Sequence, residues 1–489
     1  MVVMIPDYFL ILFRALTLTL AQSICSALFS AFLGVFFALI FALSSHKLSQ
    51  VVVRWGILLG RILFTIPGTV SAFLFLSLIH LWGFNFLKMG FFSIVACHVL
   101  FSAGWVFAES LGAMNLKMAG TFKEQIESAV QMRMSFREQV FFGPLSSMIK
   151  REFFYYFYYL FFIYLNAFST VLILGGGPSY STLDVVNYFS FQQDGLGLRL
   201  FIGVGIQLFL GVVLSFTYEK KLSSHRRTIV DSGISRSVEP FQVLGLRMPR
   251  FIFVLGSMLF FLYGLLFLVL VLSLLKISVF SLETSYLKSE VFLALVSTLK
   301  FVGSSLVWFC VFVASLIVLN VRVVEKKSRF FLAVSPFVFA FFLVFALDFL
   351  GLKETNSYSL AGLGLVLGWI PWIAYVLESQ LSRIPLEQIE AARVFGHTRV
   401  AIFFKIKAHY FKSAVYSLGF FLASVAVADV LVSGIFIPQE ETLSALARRW
   451  AQRYEFSGMS LVVTVQMVFV LILGIFEIKS QQKTRVYGS

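Results

Sequence analysis

The side chains able to do chemistry in this chain of 489 residues are few, scattered and badly spaced for covalent catalysis. Its six His residues show no metal-ligand spacing, and Cys25, Cys97 and Cys310 sit far apart inside apolar runs, where they read as small core residues. No Ser, Cys or Lys stands in a nucleophile–base arrangement, so no catalytic residue, metal site or cofactor is expected. Gly175, Gly176, Gly177 and Pro178 superficially resemble a phosphate-binding loop, but no Lys-Ser/Thr follows, and a tight turn is the better reading. Charges within apolar runs are functional suspects. Asp429, in "SVAVADVLVSG", either lines a path or hydrogen-bonds across helices. Glu109, Glu378, Arg14 and Arg61 are expected to snorkel or to pair.

The largest anomaly is a pair of charged segments, "EQIESAVQMRMSFREQVFF" from Glu124 and "EQIEAARVFGHTRVAIFFKIKAHY" from Glu387, 263 positions apart. Each reads as a surface helix. Pro385 suits a first helical position, and Glu387 and Glu390 lie near the positive end of the helix dipole. Ala391 and Ala392 offer a small, strongly helical surface that another protein can approach closely. Gly396 permits a sharp change of direction, because only Gly takes positive φ without steric cost. The result is a bent, rigid knob suited to receiving force from a soluble partner.

The elements that hold these knobs are set by composition. With 59% hydrophobic and 13% charged residues, and a mean hydropathy of +0.91, the chain is excluded from the ordinary soluble class. Its apolar residues come in runs of about 20, and the strand-like alternation of a lipid-embedded barrel is absent. Backbone groups in lipid must be satisfied internally, so the predicted fold is an all-α integral membrane protein. Eleven spans are expected, near 9–43, 57–82, 89–112, 153–174, 199–219, 251–275, 292–320, 330–350, 359–381, 412–436 and 459–478. Segments after the odd-numbered spans carry about 28 Lys and Arg against about 8 on the other side, which puts the N-terminus outside and the C-terminus in the cytoplasm. The formal charge of +15 is therefore a cytoplasmic-loop excess, and no nucleic-acid partner is implied. The start of the chain lacks a basic n-region and a small-residue cleavage site, so it is not read as a signal peptide.

The duplication extends beyond the charged segments. Pro67 and Pro336 each occupy the second span of a half, and "STLDVVNYF" (181–189) and "ETLSALARRW" (441–450) are offset by 260. Five spans per repeat is an odd number, so the extra sixth span returns the chain across the membrane and makes the two repeats parallel. Residues 1–219 form the first repeat with its charged loop at 113–152. Residues 220–290 are a linker carrying the helix 251–275, and 291–489 form the second repeat with its loop at 382–411. Parallel repeats imply a pseudo-twofold axis along the membrane normal with a path between the halves.

"EAARVFG" followed by a basic, apolar stretch resembles the EAA loop of permease subunits of binding-protein-dependent ABC importers. The duplicated layout resembles the fused permeases of the thiamine and ferric-iron importers, and "FSTVLILGGGPSYSTLDVVNYF" (168–189) is most similar to the thiamine branch. The resemblance implies the type I importer permease fold, a bacterial inner-membrane location, two copies of a cytoplasmic ABC ATPase and a periplasmic substrate-binding protein. The turn at 175–178 would then face that binding protein. Carried over by position, Glu127, Ser128 and Ala129 match the first EAA, and Glu390, Ala391, Ala392 and Gly396 the second. The solute implied is thiamine or its phosphates, with ferric iron as the alternative. A secondary transporter is the competing class, but it would leave the paired cytoplasmic loops unexplained. Departures from the family pattern are Arg133 in place of the first loop's Gly, His409 in place of Pro in the second, and eleven spans in place of twelve. Because Arg is strained at positive φ, the first loop is expected to bend differently, to extend its helix and to hold its ATPase less rigidly.

Overall fold

A computed structural model describes residues 5–42, 57, 60, 63–64, 66–82, 89–119, 123–175, 180–230, 250–281, 285–319, 334–351, 357–381, 386–402, 406, 408–438 and 441–486. Every regular element among them is helical. The first part of the chain folds as α1 (Ile5–Ala42), α2 (Gly68–Trp82), α3 (Phe91–Ala119), α4 (Lys123–Gln131), α5 (Phe136–Phe141), α6 (Pro144–Leu165), α7 (Phe168–Leu174), α8 (Leu183–Asp194) and α9 (Leu198–Val230). Next comes α10 (Arg250–Ser281). The remainder forms α11 (Ser285–Leu319), α12 (Pro336–Phe349), α13 (Tyr358–Leu381), α14 (Leu386–Val394), α15 (Arg399–Ile402), α16 (Ala408–Ala428), α17 (Leu431–Phe436), α18 (Leu443–Gln452) and α19 (Phe456–Val486).

Each apolar run of the sequence contains a helix. Among the described residues, five segments are long and apolar enough to cross a bilayer: Tyr8–Ala42, Phe91–Met114, Leu198–Phe216, Ser289–Ser315 and Phe456–Phe476. The bent pair α6 and α7 makes a sixth when taken as one span. The protein is therefore a multi-pass, all-helical membrane protein, and the other apolar helices are shorter. Phe251, Phe261, Leu262 and Leu268 of α10 are exposed, as expected of a helix whose outer surface meets lipid tails.

Two of the apolar runs are broken, and the breaks are chemically matched. Between α6 and α7 the chain bends by 65° at Asn166 and Ala167. Between α16 and α17 it breaks at Asp429 and Val430, 263 positions later. A broken helix at membrane depth is tolerated only where protein groups satisfy the freed backbone. Here they do. Tyr164 O accepts from Gln22 Nε2 at 2.8 Å, and Val427 O accepts from Gln466 Nε2 at 3.0 Å and from Ser444 Oγ at 3.1 Å. Ala428 O accepts from Thr69 Oγ1 at 2.6 Å. Asp429 Oδ2 accepts from the Ser433 N–H at 2.8 Å, so the carboxylate caps the helix that follows it.

The core ties the two ends of the chain together. One cluster of buried apolar side chains joins Phe73 of α2 and Tyr188 of α8 to Phe301, Phe337, Phe436 and Trp450 from α11, α12, α17 and α18. Packing between earlier and later helices adds to it: Phe201 of α9 lies edge-on to Phe341 and Phe345 of α12 at 5.2 and 5.5 Å, and Phe456 of α19 stacks on His80 of α2 at 4.0 Å. A second cluster is built from α1, α3 and α6, and Phe260 of α10 packs against it through Phe37, Phe41 and Phe107. Tyr263 anchors α10 further. Its hydroxyl donates to Leu100 O at 2.6 Å and accepts from the Gly104 N–H at 3.1 Å, inserting into the ladder of α3.

Candidate functional site

The two charged segments fold alike, residue for residue. α4 and α14 are both nine residues long, with Glu124 and Glu387 in their first turns, where the helix dipole favours negative charge. Each helix ends in a left-handed residue: Arg133 at φ +57° and Gly396 at φ +73°. The closing hydrogen bonds coincide. The Met134 N–H donates to Ala129 O at 3.1 Å, and the His397 N–H donates to Ala392 O at 3.1 Å, the long-range bond of a Schellman motif. Beyond the turn, Ser135 Oγ accepts from the Glu138 N–H and Thr398 Oγ1 from the Ala401 N–H, both at 3.3 Å, starting α5 and α15. Every one of these equivalences is 263 positions apart.

The first loop therefore does not bend differently and does not extend its helix, which corrects the expectation drawn from Arg133. A left-handed residue with a Cβ costs roughly 1–2 kcal/mol. What offsets that cost is the chemistry around it: the Schellman bond on one side and a capping box on the other. In that box the Ser135 N–H donates to Glu138 Oε2 at 2.6 Å, and this bond holds the Glu138 carboxyl below the usual carboxylate range. Arg133→Gly removes the steric penalty and adds some unfolded-chain entropy, leaving a net gain of about 0.5–1 kcal/mol in the turn. Hydrogen exchange of the amides at 132–135 should slow several-fold in this variant. Faster exchange would show that the arginine side chain, not the backbone geometry, holds the loop.

The residues matched to the EAA positions divide by face. Glu127, Ser128, Glu390, Ala391 and Gly396 are exposed, whereas Ala129 and Ala392 are buried at 5% and 7% exposure against their own chain. Only the first alanine of "EAA" in the second loop is thus available to a partner. The second fits where a larger side chain would lift the helix from its seat. That seat is clear for α4, whose fully buried Ile126 shares a cluster with Leu145 and Met148 of α6. Sequence reasoning missed the tip of each knob. Met132 and Phe395, again 263 apart, stand 76% and 80% exposed beside the left-handed residue, with Val394, Phe141 and Phe142 also exposed nearby. Exposed apolar side chains on a charged loop mark an interaction surface. The signal was the apolar residue immediately before Arg133 or Gly396's turn, which reads as ordinary helix interior until the turn is known.

At the far ends of α6 and α16 a second pair of matched elements appears. The Leu183 N–H, at the start of α8, donates to Thr19 Oγ1 at 3.0 Å, and the Leu443 N–H, at the start of α18, donates to Thr298 Oγ1 at 2.9 Å. The next residue in each receives a glutamine from the long helix that follows: Asp184 from Gln207 and Ser444 from Gln466. Asp184 Oδ1 also accepts from Ser335 Oγ at 2.6 Å, linking α8 to the start of α12. Gly175 ends α7 where a Cβ would come within 2.5 Å of Val171 O. Gly176, Gly177 and Pro178 lie outside the described residues, as does the side chain of Glu378. Asp429 caps α17, as described above. Among the described residues no three His, Cys, Asp or Glu side chains gather as metal ligands, and the three cysteines are free.

Comparison with curated proteins and with solved structures finds no match. Residues 322–482, which include α12 to α18 and most of α19, match the family described as "Binding-protein-dependent transport system inner membrane component". The matched residues are about a third of the chain and contain α14, so this part, in a helical protein with several apolar spans, is similar to the membrane component of a binding-protein-dependent transporter.

Proposed function

We propose that the whole chain is a fused importer permease, made of two parallel five-helix repeats joined by α10, with eleven membrane spans and a cytoplasmic C-terminus. One observation carries this reading: α4 and α14, of equal length and 263 positions apart, end in the same left-handed turn closed by the same hydrogen bond. A monomer with two equivalent knobs suits a partner present in two copies. The partners proposed are therefore two cytoplasmic ABC ATPase subunits, one beneath each knob, with Met132 and Phe395 as apolar anchors on the same loops as the exposed Glu127 and Glu390. Solute is delivered from outside by a soluble binding protein. The outside N-terminus rests on loop charge, and the inner-membrane location on the likeness of residues 322–482 to an inner-membrane transport component.

Force applied at the first knob has a continuous route. α4 seats on α3 and α6, and α6 runs 22 residues to its break, beyond which α7 packs on α2 and α8. Closure of the ATPase pair on ATP moves the knobs together, and rigid-body motion of these arms switches the path between inward- and outward-facing states. Thiamine or its phosphates are the proposed solutes, on the likeness of residues 168–189 to the thiamine branch. Ferric iron is the alternative, and the ligand of the cognate binding protein decides between them.

Reconstituted alone in liposomes, the chain is expected neither to hydrolyse ATP nor to accumulate thiamine under an imposed ion gradient. Co-reconstituted with the ATPase and binding protein, it should do both. Gradient-driven uptake by the chain alone would favour a secondary transporter and overturn the proposal.

A further inference from the structure

Tyr188 of α8 and Arg448 of α18 occupy corresponding positions, offset by the same 260 as the segments that contain them. They also touch. Arg448 Nη1 donates to Tyr188 Oη at 3.2 Å, and the guanidinium carbon lies 5.5 Å from the centre of the tyrosine ring. When two equivalent residues of a duplicated chain contact each other, the local pseudo-twofold axis runs between them. A path along that axis is then blocked where they meet.

Tyr188 is also the point on which both lever arms end. Phe168, the first residue of α7, stands edge-on to its ring at 5.1 Å. Gly434 of α17 abuts its hydroxyl so closely that a Cβ there would lie 2.8 Å from Oη. α7 and α17 are the short helices beyond the breaks at Asn166 and Asp429, so each is the outer end of an arm that begins at a cytoplasmic knob. Gln192 adds a hydrogen bond to the same hydroxyl at 2.6 Å. The neighbouring Arg449 is held differently, by Glu290 at 2.7 Å and Glu441 at 3.0 Å. Arg448 has no carboxylate within ion-pair distance among the described residues, and its cation rests on the tyrosine instead. A hydrogen bond plus a cation–π contact is a reversible closure, strong enough to hold a state and weak enough to be opened by a partner.

We infer that the Tyr188–Arg448 pair is the outer gate of the translocation path, closed in this structure and opened when the two arms carry α7 and α17 apart. The inference rests on the permease reading and adds to it the residues that close the outer end. Gly434 is a positioning residue, since it leaves room for the hydroxyl.

The test uses the full chain with Cys25, Cys97 and Cys310 replaced by Ala, carrying Tyr188→Cys and Arg448→Cys, and a short bifunctional thiosulfonate reagent. Cross-linking is expected in the purified chain alone and in the nucleotide-free complex. It should fall about tenfold when binding protein and a non-hydrolysable ATP analogue are added, and the cross-linked complex should not transport until reduced. Equal yield in both states, no cross-link in either, or full transport while cross-linked each overturn the gate. Co-purification of an ATPase tests the permease reading separately, so the two failures are distinguishable. With native cysteines retained, Arg448→Ala should raise binding-protein-independent ATP hydrolysis about tenfold, the shift that about 1.4 kcal/mol produces. Tyr188→Phe, which keeps the ring, should give a smaller rise, and Gly434→Val should behave like Arg448→Ala by pushing the hydroxyl off the guanidinium. Lower yield with an unchanged ratio of basal to stimulated hydrolysis in all three would show a purely structural contact.

Discussion

On the proposed function, Gly396→Val is expected to uncouple ATP hydrolysis from transport while leaving the membrane helices folded. The position is open, with no atom within 4 Å of an added Cβ, so packing does not decide the outcome. The backbone does. At φ +73° a β-branched residue is a genuine outlier, and the cost is at least the roughly 1–2 kcal/mol of any left-handed residue. A helix of nine residues has little stability of its own to absorb that cost. The bond from the His397 N–H to Ala392 O is lost, and Phe395 leaves the tip. A drop of more than tenfold in binding-protein-stimulated transport per ATP is expected, with assembly checked by co-purification. Gly396→Arg is the informative control, because Arg133 already occupies the equivalent turn at φ +57°. It should retain most of the coupling. Full coupling in the valine variant would mean that the turn is not what transmits force.

Gly34→Leu is expected to prevent the first half of the protein from assembling. A Cβ at Gly34 would come within 2.4 Å of Val106 Cβ, 2.5 Å of its Cγ1 and 2.8 Å of Ala103 O. Val106 Cβ and Ala103 O cannot rotate away, so α1 and α3 would have to separate. In lipid, helices associate through close packing between small residues and not by escape from water. The seam is made that way: Ala31, Ala38, Ala103, Val106 and Phe107 are each buried to 0% exposure. Inserting a few methylenes into a packed core costs about 1–3 kcal/mol, and a full leucine side chain exceeds that range. Gly205→Leu on α9 should be neutral, because nothing lies within 4 Å of its Cβ. Size-exclusion profiles and thermal inactivation of the two variants decide it. A monodisperse Gly34→Leu protein with unchanged thermal stability would contradict the close approach.

Much of the architecture was legible because lipid leaves few options. A run of about 20 apolar residues has to be helical, whatever surrounds it, and the eleven runs each contain a helix. The two charged loops were legible for the converse reason: charge is so scarce in this chain that two related clusters stand out. Reading Arg133 as an obstacle was wrong, because steric propensity at one residue was weighed without the bonds on either side. Those bonds join Met134 to Ala129 and Ser135 to Glu138, and their sum outweighs a penalty of roughly 1–2 kcal/mol. Asp429 illustrates the same limit. As a lone carboxylate in an apolar run it pointed to a path or to a neighbouring helix, yet it bonds the Ser433 N–H four residues ahead, which only the break at Asp429 makes available.

What the sequence determined by itself is periodic and local: helical character, loop charge, and an offset of 263 residues between two knobs. Each follows from properties a residue carries with it, namely hydrophobicity, charge and order along the chain. Which residues meet across the molecule was decided only by tertiary structure. Nothing in the types Tyr and Arg pairs position 188 with 448, or sets Thr69 against the Ala428 carbonyl. Those contacts depend on where a 65° break aims a seven-residue helix and on how closely glycine lets two helices approach. A contact between residues 260 apart is a sum of many helix lengths, bends and crossings, and the energy that selects it is spread over all of them.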